Sequence, residues 1–165
     1  MRRINDAGKV QTHGESKTTD RLVLRQVRSA IAAFARRVLV RMRKRLLGAV
    51  EVVDDNYNGL VIGFGPNDRA SLAIFSIVLF PRWVTLCFLQ GAGLPDPQRR
   101  LQGEGRVVRH IRLEDFSVLD DPYVQKLMNL ALRRAKVPLD PKNRQQLIIK
   151  SISAKQRPRK PLPKR

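Results

Sequence analysis

The chain has 165 residues and a formal net charge of +19, from 33 lysines and arginines against 14 aspartates and glutamates. A chain of this length suits one domain, and its 42% hydrophobic residues are enough for a core, which excludes wholesale disorder. The single cysteine excludes an internal disulfide and a multi-cysteine zinc site, and no apolar run reaches the roughly 18 residues of a membrane-spanning helix.

The charge is spread unevenly along the chain. Residues 1–50 carry a net +10 and residues 137–165 a net +8, whereas residues 51–97 carry −3. This asymmetry indicates basic extensions on a globular body. The first twenty residues have no apolar stretch of the signal-peptide kind, so we expect a cytoplasmic protein, and residues 1–19 show no periodicity, so we predict a disordered leader there.

A long amphipathic helix is predicted from Asp20, a favourable N-cap, to the region of Gly48. Its length suggests a break near Arg36, and arginines including Arg36 and Arg43 fall away from the apolar stripe. The stripe follows a spacing of three and four residues: Leu24, Val27, Ile31, Phe34, Val38, Met42 and Leu46.

The central region has the pattern of strands separated by turns. Two almost wholly apolar runs, Ser71–Phe80 and Trp83–Leu89, are joined by a very short link and predict an antiparallel hairpin buried on both faces. A helical turn is predicted over Gln98–Gln102. The other predicted strands are Glu51–Val53, Gly59–Phe64 and Arg106–Leu113.

The last third of the chain predicts a helix, a strand and a tail. Asp121 and Pro122 open the helix, which ends before Pro138, and Leu147–Ile152 is a short apolar run typical of a strand. Residues 154–165 are basic and proline-rich, which predicts a flexible tail. The order of these elements predicts an α+β domain over residues 20–153, an antiparallel sheet flanked by N-terminal and C-terminal helices.

Three segments carry a resemblance to a known family. The stretches Asp55–Pro97 and Gly105–Asp115 resemble the YdhG-like domain, a bacterial domain of unknown function, and Ile149–Pro161 resembles the basic C-terminal extension of one branch. The resemblance covers about residues 35–161 and implies the same α+β architecture. Where relatives often carry an aromatic residue this chain has Asp54, which implies a more polar pocket.

The resemblance implies no established reaction. One branch of the family has been proposed to act as a frataxin-type intracellular iron chaperone, which would require oxygen ligands such as carboxylates. The candidate metal ligands in this chain are Glu51, Asp54 and Asp55.

A small-molecule enzyme is a further alternative. Strand alternation places Arg109 on an otherwise apolar side, where it needs an ion pair with a carboxylate of this chain, a stem that reaches the sheet edge, or an anionic ligand. Together with His110, Tyr57 and Trp83 it is a candidate for the lining of a shallow pocket. Cys87 lies inside an apolar strand and is expected to be a core residue.

The basic tail is the candidate polyanion-binding segment. Phosphates would be neutralised there without sequence specificity, and a solvated tail with no partner is the alternative. Its candidate residues are Lys150, Lys155, Arg157, Arg159 and Lys160. The glycine-rich triplets lead into strands or turns, so no nucleotide cofactor is predicted. We therefore expect a non-enzymatic binding or adaptor domain, with its protein partner and oligomeric state left open.

Overall fold

The computed structural model describes residues 10–12, 24, 29–55 and 59–151, and it has an α+β fold. One seven-stranded sheet has the strand order β1-β7-β2-β3-β4-β5-β6. The strands are β1 (Val10–Thr12), β2 (Val50–Asp55), β3 (Leu60–Gly65), β4 (Phe75–Leu79), β5 (Val84–Phe88), β6 (Arg109–Leu113) and β7 (Gln146–Ser151). The helices are α1 (Ser29–Arg45), the single-turn α2 (Ser117–Asp120) and α3 (Pro122–Arg133).

Neighbouring strands are antiparallel except for one pair. β7 runs parallel to β2, with Val50 opposite Gln146, and antiparallel to β1, with Val10 opposite Ile148. The last strand is therefore inserted between the first two. The sequence predicted β7, but not its position in the sheet.

The predicted antiparallel hairpin is confirmed by the pairing of β4 with β5. The backbone N–H of Phe80 donates to the carbonyl of Trp83 at 2.9 Å, which closes the turn around Pro81. The first apolar run is shorter than predicted as a strand, because Ala70–Leu72 forms a 3₁₀ turn and β4 begins only at Phe75.

The three helices named above and the helical residue Leu24 contribute to one hydrophobic core on one face of the sheet. On β3, alternate side chains such as Ile62 and Phe64 are buried in this core, and β4 and β5 extend it with Phe75 and Phe88. The Phe75 and Phe88 rings meet edge to face at 5.5 Å. The predicted helix stripe is confirmed at Leu24, Val38, Met42 and Leu46, which are buried, and α1 continues through Arg36 without a break.

The opposite face of the sheet, called the open face here, carries a second set of side chains. Its hydrophobic residues Val52, Val61, Val78 and Ile148 are half-buried and lie outside the core cluster. Strand register places them on the same face of the sheet as Gly63, Ser76 and Cys87. The described part of the chain is thus a two-layer structure, with helices against one face of the sheet.

The end of α1 is fixed by a glycine turn, by the Gln145 side chain and by a buried ion pair. Gly48 adopts a left-handed φ of 79°, as is common just beyond a helix end, and the Gln145 side chain donates to the Arg43 and Leu46 carbonyls at 2.8 and 3.3 Å.

The Arg43 guanidinium makes a two-point ion pair with Glu51, at 2.6 and 2.8 Å, and both side chains are more than nine-tenths buried. The sequence-based placement of Arg43 away from the core is therefore wrong.

The N-terminus of α3 is built as the sequence predicts. The Asp121 carboxylate accepts hydrogen bonds from the backbone N–H groups of Tyr123 and Val124, at 2.8 and 3.4 Å, and Pro122 occupies the first helical turn.

The helical turn predicted over Gln98–Gln102 is absent. The Asp96 carboxylate instead accepts from the N–H groups of Arg100 and Leu101, and Arg99 has a positive φ of 52°, which is incompatible with a right-handed helix. Gln102 pairs with His110 at the margin of the sheet.

The predicted extensions lie largely outside the described residues. Residues 10–12 of the predicted leader form β1, and the rest of the leader and the tail at 154–165 lie outside the described residues. Among the described helices, none has the length and apolar character to cross a bilayer.

Replacing Glu51 by Ala is expected to destabilise the protein by about 3–5 kcal/mol, because it leaves the Arg43 guanidinium buried without its carboxylate. Urea unfolding followed by circular dichroism measures this. The double variant Arg43→Met/Glu51→Leu should recover most of the loss, and Glu104→Ala, at an exposed site, should change stability by less than about 0.5 kcal/mol. A single-variant loss below about 1 kcal/mol would contradict the assigned role of the pair.

Gly48→Ala is expected to cost at least about 2 kcal/mol, because the residue has a left-handed φ and its Cβ would lie 1.8 Å from the Asp140 carbonyl oxygen. The control is Gly63→Ala, whose Cβ would meet only the Val52 carbonyl oxygen, at 3.8 Å. Thermal unfolding should show a large decrease in Tm for the first variant only. Equal decreases would show that the backbone at Gly48 adapts.

Candidate polyanion-binding surface

Helix α1 presents a row of cations to solvent. It contains six basic residues and no acidic residue. Four of the six, Arg36, Arg37, Arg41 and Lys44, are exposed and are called the basic face here. At a rise of 1.5 Å per residue these four charges extend over about 12 Å of the helix.

Helix polarity explains only a part of this charge. Cations in the last turn of a helix interact favourably with the negative end of its dipole, and α1 has three there. Arg36 and Arg37 lie more than two turns before the helix end, beyond the range of that effect. Arg36 makes no ion pair with any described residue.

Two guanidinium groups of the basic face are held at the junction of α1 and α2. Arg37 lies over the Phe116 ring, with Cζ 3.7 Å from the ring centroid, and Arg41 lies 5.8 Å from the same centroid. Arg41 also forms an exposed ion pair with Asp120. The Phe116 ring itself packs on Phe34 of α1 at 4.8 Å. The ring contacts restrict both arginines, and Asp120 offsets the charge of Arg41, so Arg36, Arg37 and Lys44 are the members of the basic face that no described carboxylate pairs with.

A groove of about 270 Å³ lies between α1 and α3, next to the basic face. Apolar residues Met42, Leu119 and Met128 line it, and all three are more than nine-tenths buried. Two residues of the basic face, Arg41 and Lys44, line it as well. The three apolar side chains therefore lie beneath the floor of the groove, and exposed residues such as Arg41 and Lys44 form its accessible surface.

Arg45 forms another part of the groove lining. One terminal nitrogen of its guanidinium donates to the Gln125 carbonyl at 3.0 Å and to the Asn129 side-chain oxygen at 2.9 Å, which connects α1 to α3. Its Nε is buried and has no hydrogen-bond partner among the described residues. A buried N–H without an acceptor is unusual and costs free energy.

The structure places the predicted pocket residues far apart. Trp83 precedes Val84, which pairs with Leu113 at one end of the β5–β6 ladder. Arg109 pairs with Phe88 at the other end, and about 13 Å of strand separates Val84 from Phe88. Trp83 lies on the open face, and Arg109 is in register with the core side. Tyr57 lies outside the described residues. The described residues of the set therefore do not line one pocket.

The side chain of Arg109 is held by hydrogen bonds to the loop that precedes β6. Its guanidinium donates to the backbone carbonyls of Gly105 and of Val108, the latter at 2.8 Å. The guanidinium thus lies over the loop before β6, and its described partners are backbone carbonyls rather than the carboxylate of the predicted ion pair.

A row of polar side chains crosses the open face at Ser76, Cys87 and His110, which are opposite one another on β4, β5 and β6. Burial raises the pKa of the Cys87 thiol, and a hydrogen bond with Ser76 opposes this only in part. A thiol with a raised pKa is mostly protonated at neutral pH, so Cys87 is not set up as a nucleophile.

The candidate metal ligands do not converge. Glu51 faces the core in its ion pair with Arg43, whereas Asp54 lies on the opposite side of β2. Asp55 shares the side of Glu51 but lies four residues away along the strand, about 13 Å. Within the described ranges no three histidine, cysteine or carboxylate side chains are grouped to hold a metal ion.

Of the predicted tail residues, only Lys150 is described. Its ammonium group donates to the Asp68 backbone carbonyl at 2.6 Å, so it is held against the sheet. Lys155, Arg157, Arg159 and Lys160 lie outside the described residues.

The sequence indicated the basic face only in outline. The absence of any acid in α1 was the available signal, but the split between exposed and inward-facing arginines depends on packing.

No family model, curated protein or solved structure matches this chain.

Alkylation of Cys87 by iodoacetamide is expected to be slow at pH 7.5, because burial keeps the thiol protonated and partly covered. Its rate should increase with pH to a midpoint above that of the unfolded chain, which is about 8.5. Mass spectrometry of the native and urea-unfolded chains measures both rates. A native rate that exceeds the unfolded rate would indicate an activated thiolate instead.

Proposed function

We propose that this protein is a nucleic-acid-binding module whose basic face contacts the phosphate backbone. The observation that carries the proposal is the run of exposed cations on α1 without a compensating acid in that helix. Lysines and arginines that neutralise phosphates release condensed counterions, which gives binding without sequence specificity. The YdhG-like resemblance and a cytoplasmic location are part of the same proposal, and neither specifies a reaction.

An anionic membrane is the main competing polyanion, and the packing of α1 argues against it. A helix that lies on a bilayer inserts its apolar side into the lipid. The apolar side of α1, with Val38, Leu39 and Met42, is instead buried against the sheet. The exposed side of α1 carries the basic face and one large hydrophobic residue, Val40, which is too little apolar surface to insert into lipid.

The basic tail extends the proposed interaction. Lys155, Arg157, Arg159 and Lys160 follow one another closely in a proline-rich segment, which is typical of a polyanion-binding extension. We propose that it adds phosphate contacts to those of the basic face. The Arg43–Glu51 pair and the raised pKa of Cys87 favour neither the iron-chaperone nor the enzyme alternative.

The test is a fluorescence-anisotropy titration of the full chain with labelled DNA and RNA between about 50 and 200 mM salt. The variant Arg36→Gln/Arg37→Gln removes two charges of the basic face outside the groove. We expect weaker binding and a salt dependence, the slope of log K against log [salt], that is smaller by about one to two units.

The matched control is Arg69→Gln/Arg106→Gln, which removes the same charge from two exposed loop positions. Lys155→Gln/Arg157→Gln tests the tail separately. If the basic-face and control variants bind equally, the interaction depends on net charge alone and the proposed surface is wrong. If the unmodified chain does not bind nucleic acid even at the lowest salt, the function itself is wrong.

A further inference from the structure

We infer that the helix layer, which consists of α1, α2 and α3 on one face of the sheet, binds duplex DNA through two rows of cations. The inference rests on the proposed function and makes it more specific, because it names the form of the nucleic acid and adds α3 to the binding surface. It depends on the direction in which the cations of both helices point and on the occupied aromatic rings beside them.

Helix α3 carries the second row of cations. It contains no acidic residue, and its two basic residues, Lys126 and Arg133, are exposed. Because they are seven residues apart, they lie on one side of the helix at a separation of about 10 Å. That side is opposite the buried face with Val124, Leu127 and Met128, so both side chains point away from the sheet. Neither makes an ion pair with a described residue.

Helix α1 repeats this arrangement with Arg37 and Lys44. These two exposed residues are also seven apart, and they lie opposite the buried side of α1. The Arg45 side chain reaches α3 and donates to the Asn129 side-chain oxygen at 2.9 Å, so the two helices are neighbours. Both rows therefore face away from the sheet on adjacent helices. They form one set, called the outward cations here: Arg37, Lys44, Lys126 and Arg133.

The carboxylates next to the start of α3 are occupied by other partners. Asp120 pairs with Arg41, and Asp121 pairs with Arg100 at 3.1 Å while it caps α3. Neither forms an ion pair with an outward cation. The outward cations therefore present positive charge that no described carboxylate neutralises by direct contact, and such a surface attracts a polyanion.

The aromatic rings of the helix layer are not free to stack on unpaired bases. Phe116 packs on Phe34 at 4.8 Å, and the Arg37 guanidinium lies over the Phe116 ring. The Tyr123 hydroxyl donates to the Asp96 carboxylate at 2.7 Å, and all three rings are half-buried. Proteins that bind single strands stack successive bases on accessible aromatic side chains. Among the described residues of this layer no ring offers such a platform, so phosphate contacts carry the binding.

Phosphate contacts from fixed rows of cations favour a duplex. Duplex DNA carries one negative charge per about 1.7 Å of its axis, and it is stiff enough to present several phosphates to a rigid surface at once. Recognition of an RNA duplex uses 2′-hydroxyl groups as well. The exposed non-basic residues of α1 beyond Ser29 are apolar and cannot bond a hydroxyl: Ala30, Ala33 and Val40. We therefore assign the surface to duplex DNA, bound without reading its sequence.

Fluorescence anisotropy with the full chain tests the form of the ligand. A labelled DNA duplex is compared with its single strand and with an RNA duplex of the same length, between about 50 and 200 mM salt. For each neutralised phosphate the slope of log K against log [salt] is about −0.9 for a duplex and about −0.7 for a single strand. With about four contacts and equal affinities at about 1 M salt, the duplex should bind roughly sixfold more tightly at about 0.1 M.

The variant Lys126→Gln/Arg133→Gln tests the row on α3. It removes two phosphate contacts, so the affinity for the DNA duplex should fall by about tenfold or more at about 0.1 M salt. The matched control, Arg69→Gln/Arg106→Gln, removes the same charge from exposed loops and should change the affinity by less than about threefold. Circular dichroism should show the same folded content for both variants, since all four positions are exposed.

Trp83 reports on the other side of the sheet. It is the only tryptophan of the chain and lies on the open face. Its fluorescence should stay unchanged when the DNA duplex saturates the protein. Quenching of Trp83 by the duplex would overturn the placement of the DNA on the helix layer.

The other outcomes separate this inference from the proposed function. Equal or tighter binding of the single strand would overturn the preference for a duplex, and tighter binding of the RNA duplex would overturn the assignment to DNA. If Arg36→Gln/Arg37→Gln weakens binding and Lys126→Gln/Arg133→Gln does not, α3 is not part of the surface and the basic face stands. Polyglutamate that binds as tightly as the DNA duplex would overturn the inference in favour of an acidic protein. If the unmodified chain binds no nucleic acid at the lowest salt, the proposed function itself is wrong.

Discussion

The buried ion pair between Arg43 and Glu51 determines how α1 sits on the sheet. Successive residues of a helix are rotated by about 100°, so holding Arg43 inward against β2 directs Lys44 to solvent and brings Arg45 round to α3. Three consecutive cations therefore have three different environments. The desolvation of the guanidinium is offset only while the carboxylate is in place, so this pair specifies orientation more than it adds net stability. Both the basic face and the groove depend on that orientation.

The two faces of the sheet differ in what they offer a partner. The helix-covered side displays its charge on the outside of a rigid layer, where aromatic contacts such as Arg37 on Phe116 keep long side chains extended. On the open face the cationic group next to an aromatic ring is Arg112, 5.1 Å from the Trp83 ring centroid, and the row around Cys87 consists of the polar side chains Ser76, Cys87 and His110. The helix layer has both a groove and a surplus of positive charge, and it is the side on which we place nucleic-acid binding.

Elements that depend on local chemistry were predicted well from the sequence. The cap of α3 requires only Asp121 followed by Pro122, and the β4–β5 hairpin requires only two apolar runs and a short link. Gln98–Gln102 failed as a prediction because the Asp96 carboxylate captures its backbone N–H groups, a contact that a propensity argument does not include. The groove was not foreseeable, since it joins α1 to residues about 80 positions later, and periodicity carries no information about which helices become neighbours.

The position of β7 has a consequence for how the chain reaches its fold. Because β7 lies between β1 and β2, partners separated by about a hundred residues must meet before the sheet is complete, and such long loop closures slow folding. During synthesis the hydrogen-bonding edge of β2 stays unpaired until the C-terminal region has left the ribosome. An exposed edge strand is a template for aggregation. A chain that terminates before residue 146 lacks β7 and leaves the edge of β2 unpaired, so it would aggregate rather than form a shorter functional domain.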